Sequence, residues 1–264
     1  MTRSETDHTI ETTQQSLDVL ELAADRDGVT LRDVSTEFDV AKSTAYKHLT
    51  TLRERGLLTK QGETYHVGLA LLNLGEHARS RWPGHPHIKS AIATLAEQTQ
   101  EECDFVAPDR GRIITIAESY HKWAKYDDTA SSGPSKEYRA RIGSYYRMHA
   151  TASGLAILAT YPRSRVEEII DRWGLPARTE YTITSRDALY DELAEIRERG
   201  YAVDSRGYAE GMRSIGKTVR RPDGSVIGAL SVSGPIYRMD GAVLEEEIPR
   251  TLTEVAADLE AKLE

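Results

Sequence analysis

Residues 40–58 read "VAKSTAYKHLTTLRERGLL". With about 100° between successive helical side chains, Ala45, Leu49 and Leu52 share one face, and Gly56 stands where a helix ends. If that stripe turns inward, Ser43, Lys47, Thr50 and Thr51 point the opposite way, with Tyr46 and His48 on the flanks. The outward side is polar, hydrogen-bonding and basic. Between residues 42 and 60, five bases (Lys42, Lys47, Arg53, Arg55, Lys60) face the single acid Glu54, a local balance of +4. The whole chain, with 42 acids and 34 bases, has formal net charge -8. A charge run by itself marks only a solvated face, so its neighbours decide what it means.

Upstream, Leu17, Leu20 and Leu22 beside Ala23 and Ala24 form a helical apolar stripe that stops at "DRDG" (25–28). Thr30 reads as the N-cap of "LRDVSTEF" (31–38), where Leu31, Val34 and Phe38 recur at helical spacing. Downstream, "LLTKQGETYHVG" (57–68) has two short extended runs around a Gly-containing turn, the pattern of a β-hairpin. Three short helices and a hairpin make a winged helix-turn-helix, whose third helix enters the major groove of a duplex. Short hydroxyls, lysine and tyrosine there reach base edges or phosphates. The candidate DNA contacts are Lys42, Ser43, Thr44, Tyr46, Lys47, Thr50 and Thr51, with Lys60 of the hairpin touching the neighbouring backbone. The first 29 residues hold seven acids and two bases, a net -5, so long-range attraction to DNA is weak. Binding then relies on close contacts, best doubled by a dimer.

With 264 residues, 39% hydrophobic and 29% charged, the chain fits two domains. No apolar run approaches the roughly 18–20 residues that cross a bilayer, and the N-terminus lacks the apolar core of a secretory signal, so a soluble cytoplasmic protein is expected. Cys103 is the only cysteine, which excludes an internal disulfide and a zinc-holding thiolate cluster and leaves a small buried hydrophobe. His85 and His87 in "PGHPH" (83–87) have no carboxylate or cysteine at ligand spacing and read as surface loop, so no metal or cofactor is expected. "GLALLNLGEHARSRW" (68–82), with Leu69, Leu72 and Leu74, reads as a connecting helix. The expected organisation is a winged helix over 1–68, a linker helix over 69–83 and a larger domain over 84–264.

That larger part alternates helices and strands, an α+β fold with helices flanking an antiparallel sheet. The least regular stretch, 121–141, reads as a long loop. "TVRRPDGSVIGALSVSG" (218–234) reads as a hairpin turning at Asp223-Gly224 in a two-residue type I′ loop, which sets Ser214 opposite Ser233. Alternation puts Ser231 on the same face and Ile215, Val219, Leu230 and Val232 on the other. In "MHATASGLAIL" (148–158), Thr151, Ala152 and Ser153 open a helix whose free N–H groups favour an anion. Asp204, ending the strand "YAVD" (201–204), could accept hydrogen bonds from a ligand hydroxyl. Enzyme chemistry has little support. His149, Ser153 and Asp204 are the residue types of a hydrolytic triad, but "ATASG" is not a nucleophile elbow, and a histidine four positions before the serine is poorly placed as its base. No phosphate-cradling or dinucleotide glycine pattern occurs. The alternative to DNA binding is a winged helix used for protein contacts, carried on a catalytic or structural α+β domain.

Two separate blocks carry a resemblance. "AKSTAYKHLTTLRERGLL" resembles the recognition-helix signature of the IclR-type transcriptional regulators, and "LAEIRERGYAVDSRGYAEGMRSIGKTVRRPDGSVIGALSVSGP" resembles their effector-domain signature. The resemblance implies a winged helix that dimerises on double-stranded DNA, in a homodimer or tetramer, a linker helix, and a GAF-like domain that binds a small organic acid. By position it places ligand contacts on the amides of Thr151, Ala152 and Ser153, and on Asp204, Ser214, Ser231 and Ser233. The chain departs from that pattern at Ser214, where the family commonly has cysteine, at Lys217, where a small residue is usual, and in the longer 121–141 segment. Lys217 is expected to alternate away from the pocket.

Overall fold

A computed structural model describes residues 9–120 and 141–263 of the chain. The expected loop at 121–141 therefore lies, apart from Arg141, outside the described residues. The chain divides into two compact units, Met1–Ser80 and Arg81–Glu264.

In the first unit, helices α1 (Glu11–Asp25), α2 (Leu31–Glu37) and α3 (Lys42–Glu54) precede a wing of β2 (Leu58–Gln61) and β3 (Thr64–Val67), and α4 (Ala70–Ser80) follows. A two-residue strand β1 (Val29–Thr30) adds to the wing, giving an antiparallel order β1-β3-β2. Thr30 caps α2 through a full capping box: its Oγ1 accepts from the Asp33 N–H at 3.2 Å, while Asp33 Oδ2 accepts from the Thr30 N–H at 2.8 Å. The core joins Val19, Leu20 and Ala23 of α1, Val34 of α2, and Ala45, Leu49 and Leu52 of α3 with Leu58 and Tyr65 of the wing. Ser16 Oγ lies 2.7 Å from His48 Nδ1 and ties α1 to α3.

The second unit is built on a six-stranded antiparallel sheet, order β6-β5-β4-β9-β8-β7. Its strands are β4 (Glu102–Asp109), β5 (Arg112–Ser119), β6 (Tyr145–Tyr146), β7 (Ala202–Ser205), β8 (Met212–Arg220) and β9 (Val226–Pro235). Alternation sends Cys103, Phe105, Ile215, Leu230 and Val232 to one face, where they pack with α5 (His85–Thr99) and α9 (Ile248–Glu260). On the other face, α6 (Ala152–Leu158), α7 (Arg163–Trp173) and α8 (Arg186–Arg199) close a second core over Val106, Ile113 and Ala229. The Trp82 indole donates to the Ile227 carbonyl at 3.2 Å and anchors the entry into this unit.

Three expectations change. His85 and His87 lie in the first turn of α5, not a surface loop: Gly84, with a φ of 70°, is the N-cap, and Pro86 is accommodated in the first turn, where its missing N–H costs no helical hydrogen bond. His85 is buried. The turn between β8 and β9 is also longer than the two-residue loop read at Asp223-Gly224. The Arg221 N–H donates to Ser225 O, the Gly224 N–H donates to Arg221 O, and only Gly224 in the loop has positive φ, at 83°. The closing pair of a two-residue hairpin would also need Pro222 to donate a backbone hydrogen bond to the Ser225 carbonyl, and proline has no N–H. A register shift between Val219 and Arg220 then restores the pairing, so Ser214 still faces Ser233. Thirdly, Thr50 does not stand clear of the unit: it is half-buried, and its hydroxyl is enclosed without a partner among the described residues.

Candidate functional site

On the first unit, Lys42, Ser43, Tyr46, Lys47 and Thr51 are exposed along α3, and Thr44 is half-buried at its first turn. Tyr46 keeps 52% of its surface in water. Among the described residues, Lys42, Lys47, Arg53 and Arg55 have no carboxylate partner, so their charge is available to an external anion. Lys60 on the wing lies 3.8 Å from Glu63 and stacks over the Tyr65 ring, so part of its charge is answered locally. The wing turns at Gly62, whose φ of 59° suits the first central position of a tight hairpin.

On the second unit, alternate residues of four neighbouring strands line one cavity: Ile113 and Thr115 of β5, Glu102, Asp104 and Val106 of β4, Ser231 and Ser233 of β9, and Met212 and Ser214 of β8. Thr151, Ala152 and Ser153 close it from the start of α6, with Tyr146 and Tyr208 at the side. Ser214 Oγ and Ser233 Oγ are 2.9 Å apart, and Ser231 Oγ donates to Asp104 Oδ1 at 2.8 Å. Thr151 is the N-cap of α6, its Oγ1 accepting from the Gly154 N–H at 3.1 Å. The amides of Ala152 and Ser153 are the first in the helix and have no intrahelical acceptor. Six of the seven effector contacts read from sequence thus meet in one cavity.

Asp204 is not among the lining residues. It pairs across the sheet with Ser214, and its carboxylate accepts from the Gly207 N–H at 2.9 Å and the Tyr208 N–H at 3.1 Å. A buried carboxylate with two amide donors is well placed to hold a turn, and this turn carries Tyr208 to the cavity wall. Burial still pushes Asp204 up to about 6. Lys217 donates to the Gly200 carbonyl at 3.0 Å and stays out of the cavity. Sequence reasoning missed Glu102, Asp104, Thr115, Tyr146 and Tyr208. Glu102 and Asp104 stand on β4 and Thr115 on β5, where period-two alternation signals shared faces, but only the β4–β9 pairing shows which face meets the serines.

No triad is assembled. The His149 ring nitrogen lies 3.1 Å from the Pro176 carbonyl, and burial lowers its pKa. Cys103 is fully buried on the opposite face, with its thiol pushed up by desolvation. Among the described residues, no group of three or more His, Cys, Asp or Glu is placed to hold a metal, and no helix is long and apolar enough to cross a membrane.

A winged helix-turn-helix followed by a separate α+β unit with a polar cavity defines a DNA-binding regulator of two modules. Residues 12–62 match the IclR helix-turn-helix domain, and residues 87–261 match the bacterial transcriptional regulator IclR C-terminal domain. The chain belongs to the IclR family of transcriptional regulators. It is 30% identical over 251 residues to the probable HTH-type transcriptional regulator ArcR of Halobacterium salinarum, covering 94% of this chain and 92% of that protein. It is 29% identical to the HTH-type transcriptional regulator KdgR of Escherichia coli, covering 87% and 84%. Among solved structures, an IclR homologue from Microbacterium hydrocarbonoxydans complexed with 4-hydroxybenzoate superposes with a TM-score of 0.77 at 24% identity, covering 96% of this chain and 99% of that one. These relatives are regulators, and the chain is a transcriptional regulator, not an enzyme.

Proposed function

We propose that this protein is an effector-responsive transcription factor of the cytoplasm. Paired winged helices of a homodimer, or of a tetramer built from such pairs, bind operator DNA through α3 and the wing. A small organic acid in the C-terminal cavity changes that binding. The observation that carries the effector site is the convergence of Ser214, Ser231 and Ser233 with the first amides of α6 in one cavity. Hydroxyls and N–H groups gathered there suit a polar ligand with an acceptor group.

Pairing of two copies is supported by α4. None of its residues is buried, and Leu72 and Leu74 expose 68% and 61% of their surface, next to Leu69 at 84%. Only Leu71 of this segment packs on the unit's own core. An exposed leucine cluster calls for an apolar partner. A second copy also doubles the few close DNA contacts that an acidic chain can make. Residues 69–83 form the linker between the DNA-binding part, 1–68, and the effector-binding part, 84–264. An effector alters DNA affinity by as much as it distinguishes two arrangements of the paired units, and that coupling is reciprocal.

The test is selection of binding sites from a random duplex pool, followed by titration of the selected duplex at several salt concentrations with and without small carboxylates. Saturable, salt-dependent binding whose midpoint moves with one compound is the expected result. Retention of protein partners with no duplex selected would favour a winged helix used for protein contacts.

A further inference from the structure

We infer that the effector is an acid with an extended apolar body: its carboxylate sits among the serines and the α6 amides, and its body reaches past Tyr208 into a second, larger cavity. The inference deepens the effector-pocket reading and rests on it.

Two cavities meet at this site, and they differ in size. The one that holds the serines measures about 40 Å³. At roughly 10–15 Å³ per water, it takes a carboxylate and a short stem. Its neighbour measures about 260 Å³ and shares Tyr146, Thr151 and Tyr208 with it. Beside the shared tyrosines, the walls of the larger cavity include Tyr145, Pro176 and the small Ala150 and Ala177. Burial sets their order: Ser153 and Ser231 are buried, whereas Tyr145, Pro176 and Ala177 are exposed, so the small cavity is the inner one. The inner donors, the serine hydroxyls and the first amides of α6, suit a carboxylate. Arg147 and Arg178 also line the outer cavity, but each guanidinium is drawn to a carbonyl and a ring. Arg147 donates to the Trp173 carbonyl at 2.8 Å and lies over that indole, and Arg178 donates to the Tyr208 carbonyl at 2.8 Å and lies over that phenol.

Tyr208, at the junction of the two cavities, is held from three sides. The Asp204 carboxylate accepts from its N–H at 3.1 Å, Arg178 covers its ring at 4.1 Å, and the Tyr146 ring meets it edge-on, with centroids 5.7 Å apart at 75°. The residue is nonetheless only half-buried. A fixed aromatic wall with exposed surface beside a cavity gives contact area to an apolar group without the cost of ordering a mobile side chain. Each methylene that leaves water against such a wall raises affinity about fourfold.

The experiment uses the full chain with acetate, propionate, hexanoate, octanoate and 3-phenylpropionate, and with 1-octanol as the body without the acid. Thermal shift and calorimetric titration are run on the wild type, Ala177→Trp, Tyr208→Ala and Tyr208→Phe. Ala177 is exposed, so a tryptophan there fills the outer cavity without entering the core. The expected result is binding of a long acid at least tenfold tighter than propionate, with octanol at least tenfold weaker than octanoate. Ala177→Trp and Tyr208→Ala should each remove most of that gain while leaving propionate within about threefold of the wild type, and Tyr208→Phe should keep the gain. Equal binding of short and long acids, octanol binding as tightly as octanoate, or a gain that survives both Ala177→Trp and Tyr208→Ala would overturn this inference and leave the pocket reading standing. If no acid of any length moved either the melting temperature or the operator midpoint, both readings would fall. Should one variant not fold, the wild-type series and the other variant decide.

Discussion

Gly216 of β8 lies so close to the start of α6 that a Cβ on it would stand 2.5 Å from the backbone nitrogen of Ser153. The neighbours are main chain, not flexible side-chain ends, so they cannot yield cheaply. Only glycine lets the helix start rest on the sheet beside the serines. Gly216→Ala should lower stability by about 1–3 kcal/mol and weaken effector binding at least tenfold, with operator binding retained. Urea unfolding and ligand titration check this; unchanged ligand affinity would detach the α6 amides from the site.

On α3, exposure separates two neighbouring residues. Lys47 is exposed and Thr50 half-buried with an enclosed hydroxyl. Lys47→Ala should weaken operator binding and reduce the slope of log affinity against log salt by about 1. Thr50→Val removes an unsatisfied buried hydroxyl and should raise stability by up to about 1 kcal/mol, with DNA affinity little changed. A large loss of DNA binding in Thr50→Val would restore that residue to the contact surface.

Glu101 is buried at the end of the sheet and paired with Arg238 at 2.7 Å. Desolvation raises its pKa, opposed by the arginine charge. Since Arg238 remains 37% exposed, Arg238→Ala should cost about 2 kcal/mol, below the range for a fully enclosed pair. Adding Glu101→Gln should recover part of the loss, which a double-mutant cycle by denaturant unfolding would measure.

Stability should also depend on pH. Burial holds Asp104 up to about 7 and Asp204 up to about 6, above the usual carboxylate range. The folded chain therefore binds more protons than the unfolded chain between about pH 4 and 7, and stability falls as pH rises through that window. The expected decline without ligand is on the order of a few kcal/mol, and Asp104→Asn should flatten it. Melting temperatures from pH 4.5 to 8 provide the measurement.

Asp204 acts on the cavity through its turn. Asp204→Ala frees the Gly207 and Tyr208 amides, so it should weaken effector binding severalfold by releasing Tyr208, and lower stability by about 1–3 kcal/mol. Asp204→Asn keeps one acceptor and should recover most of both losses.

What the amino-acid order determined alone was local. The inward stripe of Ala45, Leu49 and Leu52, the Thr30 cap and the alternation of Ser231 with Ser233 follow from helical and strand periods, which any short window displays. Ser214 meets Ser233 although the loop is one residue longer than a two-residue turn, because the register shift between Val219 and Arg220 cancels the extra residue. The tertiary structure decided what lies beside the serines. Asp104 and Ser231 are 127 positions apart, and only the β4–β9 pairing brings that carboxyl into the cavity. It likewise turned Asp204 toward its own loop and enclosed Thr50. Side-chain direction at those positions depends on packing between distant segments, which no local period encodes.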